Sequence, residues 1–183
     1  MKLDNKLKKH IKKQNFVKIH IASNKHFITY FVGFIFEQTK DYVLMNDMHD
    51  FNYDGLIVLR KSDIDEIKCT ENEKFCLYIL KQEKIKKEIL KKRKKLNFKL
   101  SSMKNMMKNL QDLKVPIICE HKYNNDDLFQ IGSIKKVTKK KSYMQHFNAR
   151  GEFTLKLLPI SYKSLTFIRI DSPYTNLFYK YSK

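Results

Sequence analysis

Apolar residues recur along this chain with two different periods, and the changes of period mark its elements. Over residues 2–14, Leu3, Leu7 and Ile11 recur every four positions among lysines, which predicts a short amphipathic helix. A helix of that length is marginal alone, so it either docks on the neighbouring strands or frays as a basic arm. From Phe16 the period becomes two: Val17, Ile19 and Ile21 alternate with Lys18 and His20, which predicts a strand. Ser23, Asn24 and Lys25 supply a turn, residues 27–36 a second strand, Gln38 to Asp41 a turn, and residues 42–45 a third strand. Asn52, Tyr53, Asp54 and Gly55 read as the next turn, with Asp-Gly as its hairpin signal, and residues 56–59 as a fourth strand. Ile64 and Ile67 flank a short strand or turn, and residues 75–80 read as the last strand. Short strands following one another this closely predict a small antiparallel barrel, whose closure removes exposed edges.

The period then returns to that of a helix. Residues 81–113 contain no Gly and no Pro, and Ile85, Ile89, Leu96, Leu100, Met103, Met107 and Leu110 form a stripe of near-heptad spacing. Ser101 and Ser102 could interrupt it and make a helical hairpin instead, and Pro116 returns the chain to extended structure.

After Pro116 the first pattern comes back. Residues 115–119 match residues 16–20, and Gly132 falls 99 positions after Gly33. Phe147-Asn148-Ala149-Arg150-Gly151 echoes Phe51-Asn52-Tyr53-Asp54-Gly55. Leu165 and Ile168 echo Ile64 and Ile67, Tyr174 echoes Phe75, and Asn124 to Asp127 form a turn where the first copy has Ser23 to His26. The pattern reads as an internal duplication. It divides the chain into a basic N-terminal helix or arm (1–15), a first barrel (16–80), a Lys-rich helical connector (81–114) and a second barrel (115–183).

In the first copy Gly33 leads to Asp41 and the pair Met45-Asn46, and Gly55-Leu56-Ile57-Val58-Leu59-Arg60 is followed by Ile64 and Ile67. In these residues the copy resembles the Sm-like (LSm) family of small SH3-like β-barrels. Lys61 stands where the family's Arg-Gly pair has its Gly, and Met45 is one place further from Asp41 than in the usual pattern. The second copy has Ser161-Tyr162 at the Arg-Gly position and lacks both the Asp and the Met-Asn pair. The resemblance implies two tandem Sm-like barrels and an RNA-binding role in which Asn46, Arg60 and Lys61 form the residual family site.

Charge sharpens that expectation. The net charge is +19, and it is segregated: residues 16–80 carry seven basic and ten acidic side chains, whereas residues 81–114 carry thirteen and three. A surface of this kind fits RNA or another polyanion. The candidate contacts are Lys91, Lys92, Arg93, Lys94 and Lys95 on the connector, and Lys135, Lys136, Lys139, Lys140, Lys141, Tyr143 and Arg150 in the second copy, where phosphate contact and base stacking would combine. The alternative is a structural or adaptor protein, in which barrel edges and the heptad-like stripe mediate self-association, and the acidic first copy holds the basic helix.

Catalytic chemistry is not expected. There is no P-loop, GxGxxG or HExxH motif, and the six histidines are scattered. His49 and Asp50 beside Asp47 and Asp54 fall in an expected turn and read as ordinary turn residues rather than metal ligands, and no cofactor is implied. Cys69, Cys76 and Cys119 lack CxxC spacing and read as reduced thiols, and no apolar run is long enough to span a membrane. The expectation is a non-enzymatic, cytoplasmic protein.

Overall fold

In the computed structural model of the chain, which describes residues 2–22, 29–121 and 130–183, the alternating segments form strands and the lysine-rich leader forms a helix. The turns expected at Ser23 to Lys25 and Asn124 to Asp127 lie outside the described residues. The chain divides into two compact units, Met1–Asn97 and Phe98–Lys183.

The first unit runs α1 (Leu3–Lys13), β1 (Phe16–Ile21), β2 (Thr29–Gln38), β3 (Tyr42–His49), β4 (Asn52–Arg60), a 3-10 turn (Lys61–Asp63), β5 (Ile64–Lys68), α2 (Glu71–Gln82) and α3 (Ile85–Lys95). Its antiparallel strands lie in the order β5-β1-β2-β3-β4. The second unit runs α4 (Met103–Leu113), β6 (Pro116–His121), β7 (Gln130–Val137), β8 (Lys141–His146), β9 (Leu158–Ser161), β10 (Leu165–Ile170) and α5 (Pro173–Tyr181). Its order, β10-β6-β7-β8-β9, is the same when counted from its own first strand.

The correspondence extends to irregularities. A bulge interrupts the β2–β3 ladder at Phe36 and the β7–β8 ladder at Lys135, 99 positions later. At Gly33 and Gly132 the neighbouring strand passes so close that an added Cβ would stand 2.2 and 2.1 Å from the carbonyl oxygens of Asn46 and Gln145. Each unit opens with a helix ended by a left-handed residue, Gln14 (φ 48°) and Lys114 (φ 54°). These helices bury Leu7 and His10 in one case, and Met103, Met106, Met107 and Leu110 in the other.

Several expectations are corrected. The sheets stay open: among the described strands, no ladder joins β5 to β4 or β10 to β9. With only five residues, β5 commits its pairing to β1, so the barrel is not closed. Residues 75–80, read as a strand from their aromatic and β-branched content, belong to α2. There the Thr70–Glu73 capping box and a run of good helix formers outweigh strand propensity.

The near-heptad stripe is also divided. Lys84 adopts φ 60° between α2 and α3, and the chain is non-helical over residues 96–102 before Ser102 caps α4. Ile85 and Ile89 pack with Phe16, Phe34, Met48 and Leu80 in the first unit, while the methionines of α4 fill the second. The stripe therefore serves two cores rather than one coiled coil.

The β3–β4 turn is Asp50-Phe51, closed by the pairs His49–Asn52 and Met48–Tyr53. It is not Asp54-Gly55: alignment of Val43 and Met45 with Leu59 and Ile57 fixes the register, and Gly55 falls inside β4. The same registers place Phe147 opposite Met48 in the comparison of units, so the Phe-Asn-x-x-Gly echo pairs residues that are not equivalent.

The α2 cap makes stability pH-dependent. Burial alone would raise the Glu73 carboxyl pKa, but Glu73 Oε2 accepts hydrogen bonds from the Thr70 hydroxyl (2.6 Å) and Thr70 N–H (2.7 Å), which hold it below the usual 4.5. A depressed carboxyl stabilises the fold above its unfolded pKa and loses that contribution as pH falls through the folded value. Glu73→Ala is expected to cost about 1 kcal/mol at neutral pH. The gap from wild type should narrow below the ordinary Glu pKa of about 4.5 when urea midpoints are compared across pH. A gap constant with pH would show that the ionised cap is not its source.

Candidate nucleic-acid interface

A cluster of exposed lysines lies on the β7–β8 hairpin of the second unit. Lys135, Lys136, Lys139, Lys140 and Lys141 occupy its arms and tip, and all five are exposed. The tip is held rigidly by Thr138: its N–H donates to the Lys141 carbonyl (2.8 Å), its hydroxyl donates to the same oxygen (2.7 Å), and Lys141 N–H donates to Thr138 Oγ1 (3.2 Å). The β9–β10 turn docks on this tip, with Tyr162 N–H donating to the Lys140 carbonyl (3.2 Å) and the Tyr162 hydroxyl to the Thr138 carbonyl (3.2 Å). Docking brings exposed Lys163 to the same end. Burial pushes the Tyr162 phenol pKa up, opposed by the Ser142 hydroxyl.

Among the described residues, none of these six lysines forms a salt bridge. Lys136 Nζ lies 5.7 Å from the centroid of the half-buried Tyr143 ring. Sequence reasoning missed Tyr162 and Lys163, because their placement depends on a turn-to-turn contact between strands far apart in sequence.

The first unit builds the same scaffold with other charges. Thr39 N–H donates to the Tyr42 carbonyl (2.9 Å), Tyr42 N–H donates to Thr39 Oγ1 (3.1 Å), and Lys61 N–H donates to the Asp41 carbonyl (2.8 Å). The hairpin itself, however, carries Glu37, Lys40 and Asp41. Of the family-type residues, Asn46 is 0% exposed, and its Oδ1 accepts from Phe34 N–H at 2.8 Å. Lys61 is 9% exposed, and its Nζ meets Asp4 Oδ1 at 2.7 Å, fastening α1 to the sheet. Arg60 lies 3.9 Å from Asp63 and 5.9 Å from the Tyr42 ring. All three face partners inside the unit.

On α3, Lys91, Lys92 and Lys94 are exposed, and Lys92 Nζ lies 4.5 Å from the Tyr53 ring. Arg93 pairs with Glu37, which takes it out of the basic row. Lys95 ends the helix, and its side chain lies outside the described residues.

Arg150 does not join the lysine hairpin. It follows β8, whose six residues run away from Lys141, so roughly 20 Å of strand separates them. It lines instead a cleft of about 220 Å³ with Leu177, Phe178 and Tyr181 of α5. Cys119 is fully buried, and burial alone pushes its thiol pKa far up, which removes it as a nucleophile. Among the described residues, no group of three His, Cys, Asp or Glu side chains is disposed to hold a metal ion, and no helix is long and apolar enough to cross a membrane.

No family model, curated protein or solved structure matches this chain.

Proposed function

We propose that the chain is a non-enzymatic, cytoplasmic nucleic-acid-associated protein made of two copies of an Sm-like module, and that the lysine hairpin of the second copy holds the phosphate backbone of RNA or a similar polyanion. The shared strand order, bulge position and glycine contacts support the two-copy reading. The observation that carries the functional reading is the clustering of six exposed lysines at one rigid hairpin end without a salt bridge among the described residues. Uncompensated cations on a fixed scaffold attract a polyanion by counterion release and spend none of their charge on the fold. Tyr143 beside Lys136 adds a ring at the same place.

The test is fluorescence anisotropy of labelled single-stranded RNA at two salt concentrations, with anionic vesicles as a competing surface. Wild type should bind RNA and weaken as salt rises. The combined variant Lys139→Gln, Lys140→Gln, Lys141→Gln should bind at least tenfold more weakly. Its log-log salt slope should fall by about 2, at roughly 0.7 for each phosphate that the variant no longer neutralises. Binding that ignores salt, or an unchanged variant, refutes the reading. Preference for the vesicles would assign the hairpin to a membrane surface instead.

A further inference from the structure

In the second unit, Ile118, Ile131, Phe147 and the partly buried Phe178 pack into one apolar cluster between the sheet and α5. The Phe147 and Phe178 rings lie nearly parallel there, 6.4 Å apart at 10°. Strand register and helix caps identify the four equivalent positions of the first unit. Val17–Gly33 and Ile117–Gly132 are matching pairs, which shifts the sequence match of 16–20 with 115–119 by one place and equates Lys18 with Ile118 and Val32 with Ile131. The β2–β3 and β7–β8 ladders equate Met48 with Phe147, and the caps Thr70 and Ser172 equate Cys76 with Phe178, so the sequence echo of Phe75 in Tyr174 is three places out of register. All four equivalents line a single cleft of about 320 Å³. Where one unit packs two stacked rings and an isoleucine, the other has a thioether, a thiol, a lysine and open space.

Two exposed rings line this cleft beside the polar side chains of His49, Asp50, Asn72 and Glu73. Tyr30 is 52% exposed, and Phe51 is 40% exposed. Phe51 occupies the second central position of the β3–β4 turn at φ 63°, after Asp50 at φ 46°, a place where Gly is the unstrained choice. A bulky ring held in left-handed backbone at a pocket mouth is the kind of local strain that marks a ligand clamp. Inside, Lys18 Nζ stands 4.7 Å from the Tyr30 centroid, a cation next to a ring face.

We propose that this cleft binds a planar heteroaromatic ring of the nucleobase class, supplied by a free nucleotide or by a base turned out from single-stranded RNA. The ring takes the space that Phe147 and Phe178 fill in the other unit. It stacks against Tyr30 and Phe51, and Lys18 donates to a ring carbonyl or ring nitrogen. The cleft adds a base site to the phosphate-binding hairpin proposed above and uses different residues, so either can fail without the other.

The experiment follows backbone amide NMR shifts of the full chain on titration with AMP, with UMP, and with a single-stranded RNA hexamer. Saturable shifts confined to the cleft segments of β1, β2, β3 and α2 are expected. Saturation by the mononucleotides assigns the site to free nucleotide, and saturation by the hexamer alone assigns it to RNA. The double variant Met48→Phe, Cys76→Phe, which copies the packing of the second unit, should bind the probe at least tenfold more weakly and keep its amide dispersion. Lys18→Ile, a single change to the residue found at the equivalent position, should weaken binding severalfold and covers the case in which the double variant does not fold. The lysine-hairpin variant should leave the mononucleotide-induced shifts at the cleft unchanged. Absence of saturable shifts at the cleft, or equal affinity in Lys18→Ile and in a folded double variant, overturns the proposal.

Discussion

Alanine at Gly33 is expected to destabilise the first unit by about 3 kcal/mol or more, the upper end of overpacking costs. The added Cβ would stand 2.2 Å from the Asn46 carbonyl oxygen and 3.0 Å from its carbon, and both atoms belong to a paired strand that cannot rotate aside. Relief requires β2 and β3 to separate where Phe34 N–H is hydrogen-bonded to the Asn46 side chain, so the clash also breaks a buried contact. Gly132→Ala should do the same to the second unit, since the Gln145 carbonyl oxygen lies 2.1 Å from its Cβ position. Gly151→Ala is the control: its nearest contacts begin at 3.5 Å, so only the strain of φ 75° remains, about 1 kcal/mol. Amide hydrogen exchange reads each unit separately. Loss of protection in β1 to β3 for Gly33→Ala and in β6 to β8 for Gly132→Ala is expected, and an effect no larger than that of Gly151→Ala would refute the steric account.

Phe147→Ala is expected to cost the second unit about 3–5 kcal/mol, the usual range for a buried phenylalanine. Its ring is 1% exposed and has, among the described residues, four aromatic neighbours: Phe178 and His146 near-parallel at 6.4 Å, and Phe153 and Tyr179 at 6.2 Å. Removing it leaves a void bordered by rigid rings, which collapse poorly. Met48→Ala at the equivalent position should cost about 2 kcal/mol, the low end for a methionine, because Met48 already borders an open cleft and its loss enlarges a cavity that water enters. Urea midpoints at constant m-value provide the comparison. Equal losses at the two sites would mean that the first unit is packed as tightly as the second, contrary to the cleft.

How much of this was legible in the sequence depends on which signal each element offered. Alternation located β1, where Val17, Ile19 and Ile21 are buried, whereas β3 and β4 are buried along consecutive residues, Val43-Leu44-Met45 and Leu56-Ile57-Val58-Leu59, and were marked by the turn residues that flank them. The two glycines were visible as a recurring pair, although the carbonyl oxygens they accommodate belong to another strand and carry no residue-specific signal. The helix α2 was hidden because Phe75, Tyr78 and Ile79 favour strands, and its Thr70–Glu73 cap lay outside the stretch judged by period. The apparent coiled-coil stripe arose because two unrelated apolar faces, Ile85–Ile89 and Met103–Leu110, fell in phase by chance of spacing.

The site was legible in its charges and illegible in its partners. The five lysines of the hairpin were plain, but nothing local showed that Asn46 turns inward or that Lys61 is engaged by Asp4, 57 positions earlier. The cleft has no motif at all. It emerges only from comparing Lys18, Met48 and Cys76 with the residues that fill the same places in the other unit.

The arrangement of β5 and β10 bears on the order of events in folding. Among the described residues of each unit, three of the four ladders join strands adjacent in sequence, and each can close as a hairpin. The fourth joins Lys18 to Lys68 in one unit and Ile117 to Ile170 in the other, across about fifty residues. Loop-closure entropy puts that pairing last, after the meander has formed and can offset its cost. The fifth strand is therefore the late piece to pair within each unit, so the helix beyond it gains its footing only when the rest of the unit has assembled.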